Sequence, residues 1–168
     1  FCAMHYLSHA PQSLREVFIT GGIPPLNCHT DAIYRATYPR VAAKNRLYYQ
    51  RYPEDVARVR RIVDHLRSHD VVLPGGGRLT ARRFLQLGLG LGMSDGRETL
   101  HYLLEEAFVR NAQGVEVMNW NFLHHVEQHQ SFDTNPLYAV LHEACYTQGS
   151  ASAWSAHRLL AEFPEFGL

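Results

Sequence analysis

The 168 residues are 46% apolar and 19% charged, a composition that suits one globular domain with its own core. Sixteen basic residues balance sixteen acidic ones, so the net charge is zero and the basic excess of a nucleic-acid or anionic-membrane binder is absent. No apolar run is long enough to cross a bilayer, since the longest, Phe84 to Met93, is broken by Gly88, Gly90 and Gly92.

The chain opens on Phe1 inside an apolar segment and lacks the basic flank of a signal peptide, which predicts a piece of a longer polypeptide. Cys2, Cys28 and Cys145 are far apart and form no CxxC pair. Free thiols in a reducing, cytoplasmic setting are expected rather than a disulfide framework.

Phe1 to Ala10 reads as a helix stopped by Pro11. Leu14 to Thr20 is rich in β-branched and aromatic residues and ends at Gly21-Gly22 and Pro24-Pro25, which predicts a strand with a hard stop. A helix followed closely by such a strand suggests one step of a parallel α/β sheet. Beyond Pro25 the pattern turns helical. Thr30 and Asp31 offer an N-cap for a helix to Gln50, with Ile33, Tyr34, Tyr38, Val41, Leu47 and Tyr48 near helical spacing. Pro53 opens the next helix, whose stripe is Val56, Val59, Ile62, Val63 and Leu66.

Val71 to Pro74 and Gly75 to Gly77 read as a short extended piece and a turn. Thr80 caps a helix over Ala81 to Leu87. Further helices are expected over Arg97 to Val109, from the Asn119 cap through His129, from Pro136 to Tyr146, and from a Ser150 cap over Ala151 to Phe163. The fold class is therefore mainly α, with one strand near the beginning.

Eleven histidines raise the question of a metal. His5/His9, His65/His69 and His125/His129 share i,i+4 spacing, which puts both rings on one helix face, yet zinc needs further ligands in the right geometry. His142-Glu143 starts like HExxH but position 146 is Tyr146. No metal and no other cofactor is expected. The glycines at 88, 90 and 92 fail the GxGxxG pattern because position 93 is Met93, and they follow a helix rather than a strand. No GxSxG occurs in the 168 residues. Glu105 and Glu106 lie in an apolar helix, and Glu143 lies in Leu141-His142-Glu143-Ala144-Cys145-Tyr146. A carboxylate near a buried stripe is costly unless it is paired or functional.

Several segments, in order, resemble one family. Phe1-Cys2-Ala3-Met4-His5-Tyr6-Leu7-Ser8, Ala10-Pro11 and Leu14 through Pro25 resemble the stretch after the nucleophile elbow of the longer prolyl aminopeptidases, serine peptidases of the α/β-hydrolase class. Tyr34-Arg35-Ala36-Thr37-Tyr38, Tyr102 to Phe108, Asn135 to Glu143 and Ala151 to Ala156 are similar to that family's lid helices. Residues 73–96 and 111–117 match poorly.

The resemblance implies a helical lid, or cap, domain over residues 26–168 and a vestige of the α/β core over 1–25. It implies release of N-terminal proline from peptides by a Ser/His/Asp triad lying outside this chain, so the chain alone is expected to hydrolyse nothing. Its partners would be such peptides and the rest of its own α/β core, with no nucleic acid and no membrane. By segment match, Glu143 and one of Glu105 or Glu106 would bind the substrate's free amine, because a buried carboxylate holds an ammonium by charge-assisted hydrogen bonds. Tyr146 or Phe108 would line the slot for the proline ring. Two alternatives stay open: the lid of another α/β-hydrolase, such as an epoxide hydrolase or esterase, and a helical interaction module without enzymatic ancestry. The last predicts a complete domain. The lid reading predicts exposed apolar surface on the first helix and strand.

Overall fold

The computed structural model describes residues 2–22 and 28–167. It is mainly helical. Helix α1 spans Cys2–His9, α2 Thr30–Arg51 and α3 Asp55–Ser68. A hairpin of β1 (Val71–Val72) and β2 (Arg78–Leu79) leads into α4 (Ala81–Leu85), whose end tightens into a 3-10 stretch over Gln86–Gly92. Helix α5 (Gly96–Glu105), a second hairpin of β3 (Phe108–Arg110) and β4 (Glu116–Met118), and α6 (Trp120–Gln128) complete the central body. The short helices α7 (Ser131–Thr134), α8 (Pro136–His142) and α9 (Ser155–Leu159) follow.

The core forms where α3, α4, α5 and α6 turn their apolar faces together. Tyr48, Ile62, Leu66, Leu73, Leu79, Phe84, Leu103, Leu104, Phe122 and Val126 make one buried cluster, with Ile62, Phe122 and Val126 fully out of solvent. The 3.6-residue spacing of Val59, Ile62, Val63 and Leu66 puts all four on the α3 face that meets this cluster. Local capping works as the side chains dictate. Thr80 Oγ1 accepts the Arg83 amide at 3.2 Å, and Asn119 Oδ1 accepts the Asn121 amide at 3.0 Å.

The structure departs from the expected elements in several places. Leu14 to Thr20 is not a strand, and none of the described residues from 2 to 22 is buried; Phe18 is 84% exposed. A strand needs a neighbour to take its amides and carbonyls, and no neighbour pairs with this stretch among the described residues. The Pro24-Pro25 stop lies outside the described residues. The exposed apolar surface expected at this end is present, in Tyr6, Phe18 and Ile19.

Helix α2 is capped by His29, whose Nδ1 accepts the Asp31 amide at 3.2 Å, rather than by Thr30 or Asp31. The helix expected to reach Val109 stops at Glu105. Phe108 and Val109 instead pair with Met118 and Val117, because Asn111 Oδ1 gathers the Gln113 and Val115 amides and Gly114 takes φ +76 to close a hairpin. The helix from Pro136 is α-helical only to His142 and then 3-10 over Glu143–Tyr146. The last helix begins at Ser155, not Ala151, and Ser150 does not cap it.

Candidate functional site

Glu143 sits in the 3-10 turn that follows α8 and is 7% exposed. Its Oε2 accepts the Ser155 amide at 2.9 Å and its Oε1 accepts the Ala156 amide at 3.0 Å. These are donors at the start of α9 that no helical carbonyl can reach, so the carboxylate caps α9 from a distant part of the chain. Burial pushes the Glu143 carboxyl up. The Ala156 amide, Ser152 hydroxyl, Ser155 amide and Tyr34 hydroxyl outweigh it and hold the group below the ordinary glutamate range. The outcome is a fixed, ionised carboxylate in a largely dry place.

Tyr34, from α2, faces this carboxylate. Burial first, then the Glu143 and Tyr146 charges, push its phenol up to about 12, so it stays a hydrogen-bond donor at neutral pH. Tyr146 closes the same 3-10 turn and lines a groove of about 400 Å³ beside α8. Tyr138, Leu141, His142 and Cys145 line it as well, with the His142 ring 5.7 Å from Tyr146 and 5.8 Å from Tyr138. Every residue of α8 is exposed, and Phe132 of α7 packs against its Tyr138 with ring centres 5.6 Å apart.

The other expected site residues lie elsewhere. Glu105 accepts Arg58 Nη2 at 2.8 Å on the face between α3 and α5, and Glu106 is exposed at the end of α5. Phe108 packs edge-on to His65 and lies under the Arg61 guanidinium at 4.3 Å. Glu105 and Phe108 share a cavity of only about 80 Å³, room for a few waters and not for an amino-acid residue. Among the described residues no hydrogen bond or ring contact joins Glu105, Glu106 or Phe108 to Glu143 or Tyr146. The expected site is thus two sites; of the expected residues, Tyr146 lines the ligand-sized groove, and Glu143 lies in the same turn but does not line it.

Tyr34 was legible only as part of an apolar stripe, because its hydroxyl partner stands more than a hundred residues away. Asp55 was likewise legible only as a first-turn acid. It is fully buried, accepts the Tyr48 hydroxyl, and takes Arg58 Nη1 at 2.7 Å and His101 Nδ1 at 2.9 Å. Tyr52 stacks on His101 with ring centres 3.9 Å apart. This network ties α2, α3 and α5 together and opens into no ligand-sized space. Burial raises the Asp55 carboxyl, and the bonds from Tyr48, Arg58 and His101 more than reverse this, so it stays ionised below the ordinary aspartate value.

The histidine pairs do share helix faces: His5 stacks on His9 at 4.2 Å and His65 on His69 at 4.1 Å. Among the described residues no group of three or more His, Cys, Asp or Glu side chains is placed to hold a metal ion, no helix is long and apolar enough to cross a membrane, and no disulfide joins the three cysteines.

No family model matches the chain. Among curated proteins, the chain is 48% identical over 164 residues to a proline iminopeptidase of Aeromonas sobria, covering 98% of this chain and 37% of that protein. It is 34% identical over 170 residues to a proline iminopeptidase of Aspergillus aculeatus, covering 100% of this chain and again 37% of that protein. The chain therefore spans 37% of the length of these relatives. Identity of this extent from one end of the chain to the other makes it a homologue of the proline iminopeptidases, the prolyl aminopeptidases whose segments its sequence resembles.

Proposed function

We propose that residues 26–168 are the helical lid of a prolyl aminopeptidase, a serine exopeptidase that releases N-terminal proline from peptides, and that Glu143 receives the substrate's free amine. The nucleophile, acid and base are assigned to sequence outside these 168 residues, and residues 1–25 to the α/β core that the lid covers. The names of the two relatives support the activity, and the mainly helical body supports the lid. The absence of any buried residue from 2 to 22 supports a division between that stretch and the body.

One observation carries the role of Glu143: a nearly buried carboxylate is kept ionised against Tyr34, in the same turn whose Tyr146 lines an apolar groove. Two backbone amides and the Ser152 and Tyr34 hydroxyls occupy its acceptor positions, so an incoming ammonium would take the place of a hydroxyl and leave the two amides of the α9 cap in place. Peptides offer such a cation only when their N-terminus is free. The chemistry asked of the lid is recognition; bond breaking belongs to the triad.

The test is Glu143→Gln in the natural polypeptide that carries this chain, assayed on L-prolyl-2-naphthylamide. Loss of one charged hydrogen bond to the amine should lower kcat/KM by about 10- to 100-fold. An unchanged kcat/KM refutes the role. The 168 residues alone should release no naphthylamine, and release would refute the lid assignment.

A further inference from the structure

The amides that Glu143 accepts belong to a turn, residues 152–156, in a conformation that its own residues do not favour. Ala153 (φ 49) and Trp154 (φ 57) are adjacent, and they are the non-glycine residues with positive φ among the described residues. A left-handed backbone crowds a Cβ, and in a residue as bulky as tryptophan it is an outlier. Such a conformation persists only where the surroundings over-determine it. Burial of Trp154 does not do so, since this residue is 59% exposed.

Two charged side chains do. Glu143 takes the Ser155 and Ala156 amides at 2.9 and 3.0 Å. Arg158 takes the carbonyls: its Nε donates to Ala153 at 3.0 Å, and its Nη2 donates to Ser152 at 3.0 Å and to the Ser155 hydroxyl at 3.2 Å. Among the described residues Arg158 pairs with Asp31 of α2, from Nη2 at 2.6 Å and Nη1 at 3.4 Å, and not with Glu143. The turn is therefore what links the guanidinium to the carboxylate. The hydrogen bond from Arg158 holds the Asp31 carboxyl down at about 2, so the pair stays charged above that value.

The start of α2 works as a platform for this region. Thr30, Tyr34 and Tyr38 repeat every four residues and share a helix face. Buried Thr30 has its Oγ1 3.1 Å from Thr147 Oγ1, which donates to the Glu143 carbonyl at 2.7 Å. Tyr34 donates to the Glu143 carboxylate, and Tyr38 donates to the Ala156 carbonyl at 2.7 Å. These three hold Glu143 and the far end of the turn. Asp31, through Arg158, is the α2 residue tied to the Ser152 and Ala153 carbonyls, where the backbone turns left-handed. Without that tie the two residues can relax to negative φ, which rotates the peptide planes that follow and swings the Ser155 and Ala156 amides off the carboxylate.

We propose that Asp31 and Arg158 are positioning residues of the recognition site: the pair fixes the turn, and through the turn it sets where the Glu143 carboxylate meets the substrate's ammonium. This rests on the reading of Glu143 as the amine site.

The test compares Arg158→Gln, Arg158→Lys, Asp31→Ala, Glu143→Gln and the combination of Arg158→Gln with Glu143→Gln, in the natural polypeptide on L-prolyl-2-naphthylamide. Each variant is read at a temperature where circular dichroism shows it folded. Arg158→Gln and Asp31→Ala should each lower kcat/KM by about 10-fold, mainly through KM, and weaken competitive inhibition by L-prolinamide by a similar factor. Arg158→Lys keeps a charge for Asp31 but loses the planar fork, and should fall by about threefold. Because the pair acts through Glu143, Arg158→Gln should cost less than about twofold once Glu143→Gln is present. Should Arg158→Gln not fold, Asp31→Ala takes its place in the combined variant.

Parental kcat/KM in Arg158→Gln and Asp31→Ala overturns the proposal. So does a further loss of about 10-fold in the combined variant, which assigns the pair to holding the fold alone. Parental kcat/KM in Glu143→Gln removes the amine site and the proposal with it. Loss in Glu143→Gln beside parental Arg158 and Asp31 variants removes only the positioning role. A second measurement needs no turnover. A crystal structure of the Arg158→Gln polypeptide should show Ala153 or Trp154 out of the left-handed region and at least one of the two amides off Glu143; an unmoved turn overturns the proposal.

Discussion

Replacing Glu143 with alanine removes the acceptor for two amides at the start of α9. Ser155 is fully buried, and water cannot take over its amide; Ala156 is half-buried, and water reaches it in part. An unsatisfied buried donor costs about 1–3 kcal/mol, so the pair should cost about 3 kcal/mol, mostly from Ser155. The two left-handed residues ahead of them lose their tether on that side at the same time. For a chain of this length, about 3 kcal/mol corresponds to a fall of roughly 10 °C in thermal midpoint. Glutamine keeps one oxygen for one amide and turns its NH2 toward the other, so Glu143→Gln should cost about 1–2 kcal/mol. Thermal unfolding followed by circular dichroism should rank the parent above glutamine and glutamine above alanine. An alanine variant within about 0.5 kcal/mol of the parent would show that the carboxylate does not hold α9, and the rigidity argued for the site would fail with it.

Asp55→Ala leaves the buried Tyr48 hydroxyl and His101 without their shared acceptor, while half-buried Arg58 keeps Glu105 at 2.8 Å. The expected cost is about 2–4 kcal/mol, measured by urea unfolding, with no change in L-prolinamide binding at temperatures where the variant is folded. Acid should weaken the fold through the same two carboxyls. Asp55 and Glu143 both titrate below their ordinary values of 3.8 and 4.5, so their ionisation favours the folded chain above those values. That contribution is lost as pH falls through the lowered folded values. The thermal midpoint should be level from neutral pH to about pH 5 and drop below about pH 4.5, and the drop should be shallower in Asp55→Ala and Glu143→Ala, whichever method records it.

Much of the body could be read from local chemistry. The α3 stripe, the Thr80 and Asn119 caps, the histidine pairs on common helix faces and the helical start at Pro136 all follow from spacing and side-chain type, which act over a few residues. Boundaries failed where a local preference met a longer-range demand. Leu14 to Thr20 has strand composition, but a strand exists only with a partner. The α5 helix ends early because Asn111 and Gly114 close a hairpin that the residues of α5 do not announce.

For the candidate site the division is sharper. Apolar surroundings singled out Glu143 along with Glu105 and Glu106, since a carboxylate among apolar residues signals a forced burial, and the family resemblance added Tyr146 and Phe108. Neither signal could separate Glu143 and Tyr146 from Glu105, Glu106 and Phe108, because composition does not say which of them folding brings together. Only the tertiary structure put Glu105 on Arg58 and brought Tyr34, Ser155 and Ala156 to Glu143, across separations of about a dozen to over a hundred residues. It also bent Ala153 and Trp154 into a left-handed turn. The physical reason is one of range. Side-chain type and spacing decide helices within a turn or two, but the free energy of a buried charge depends on what folding brings to it.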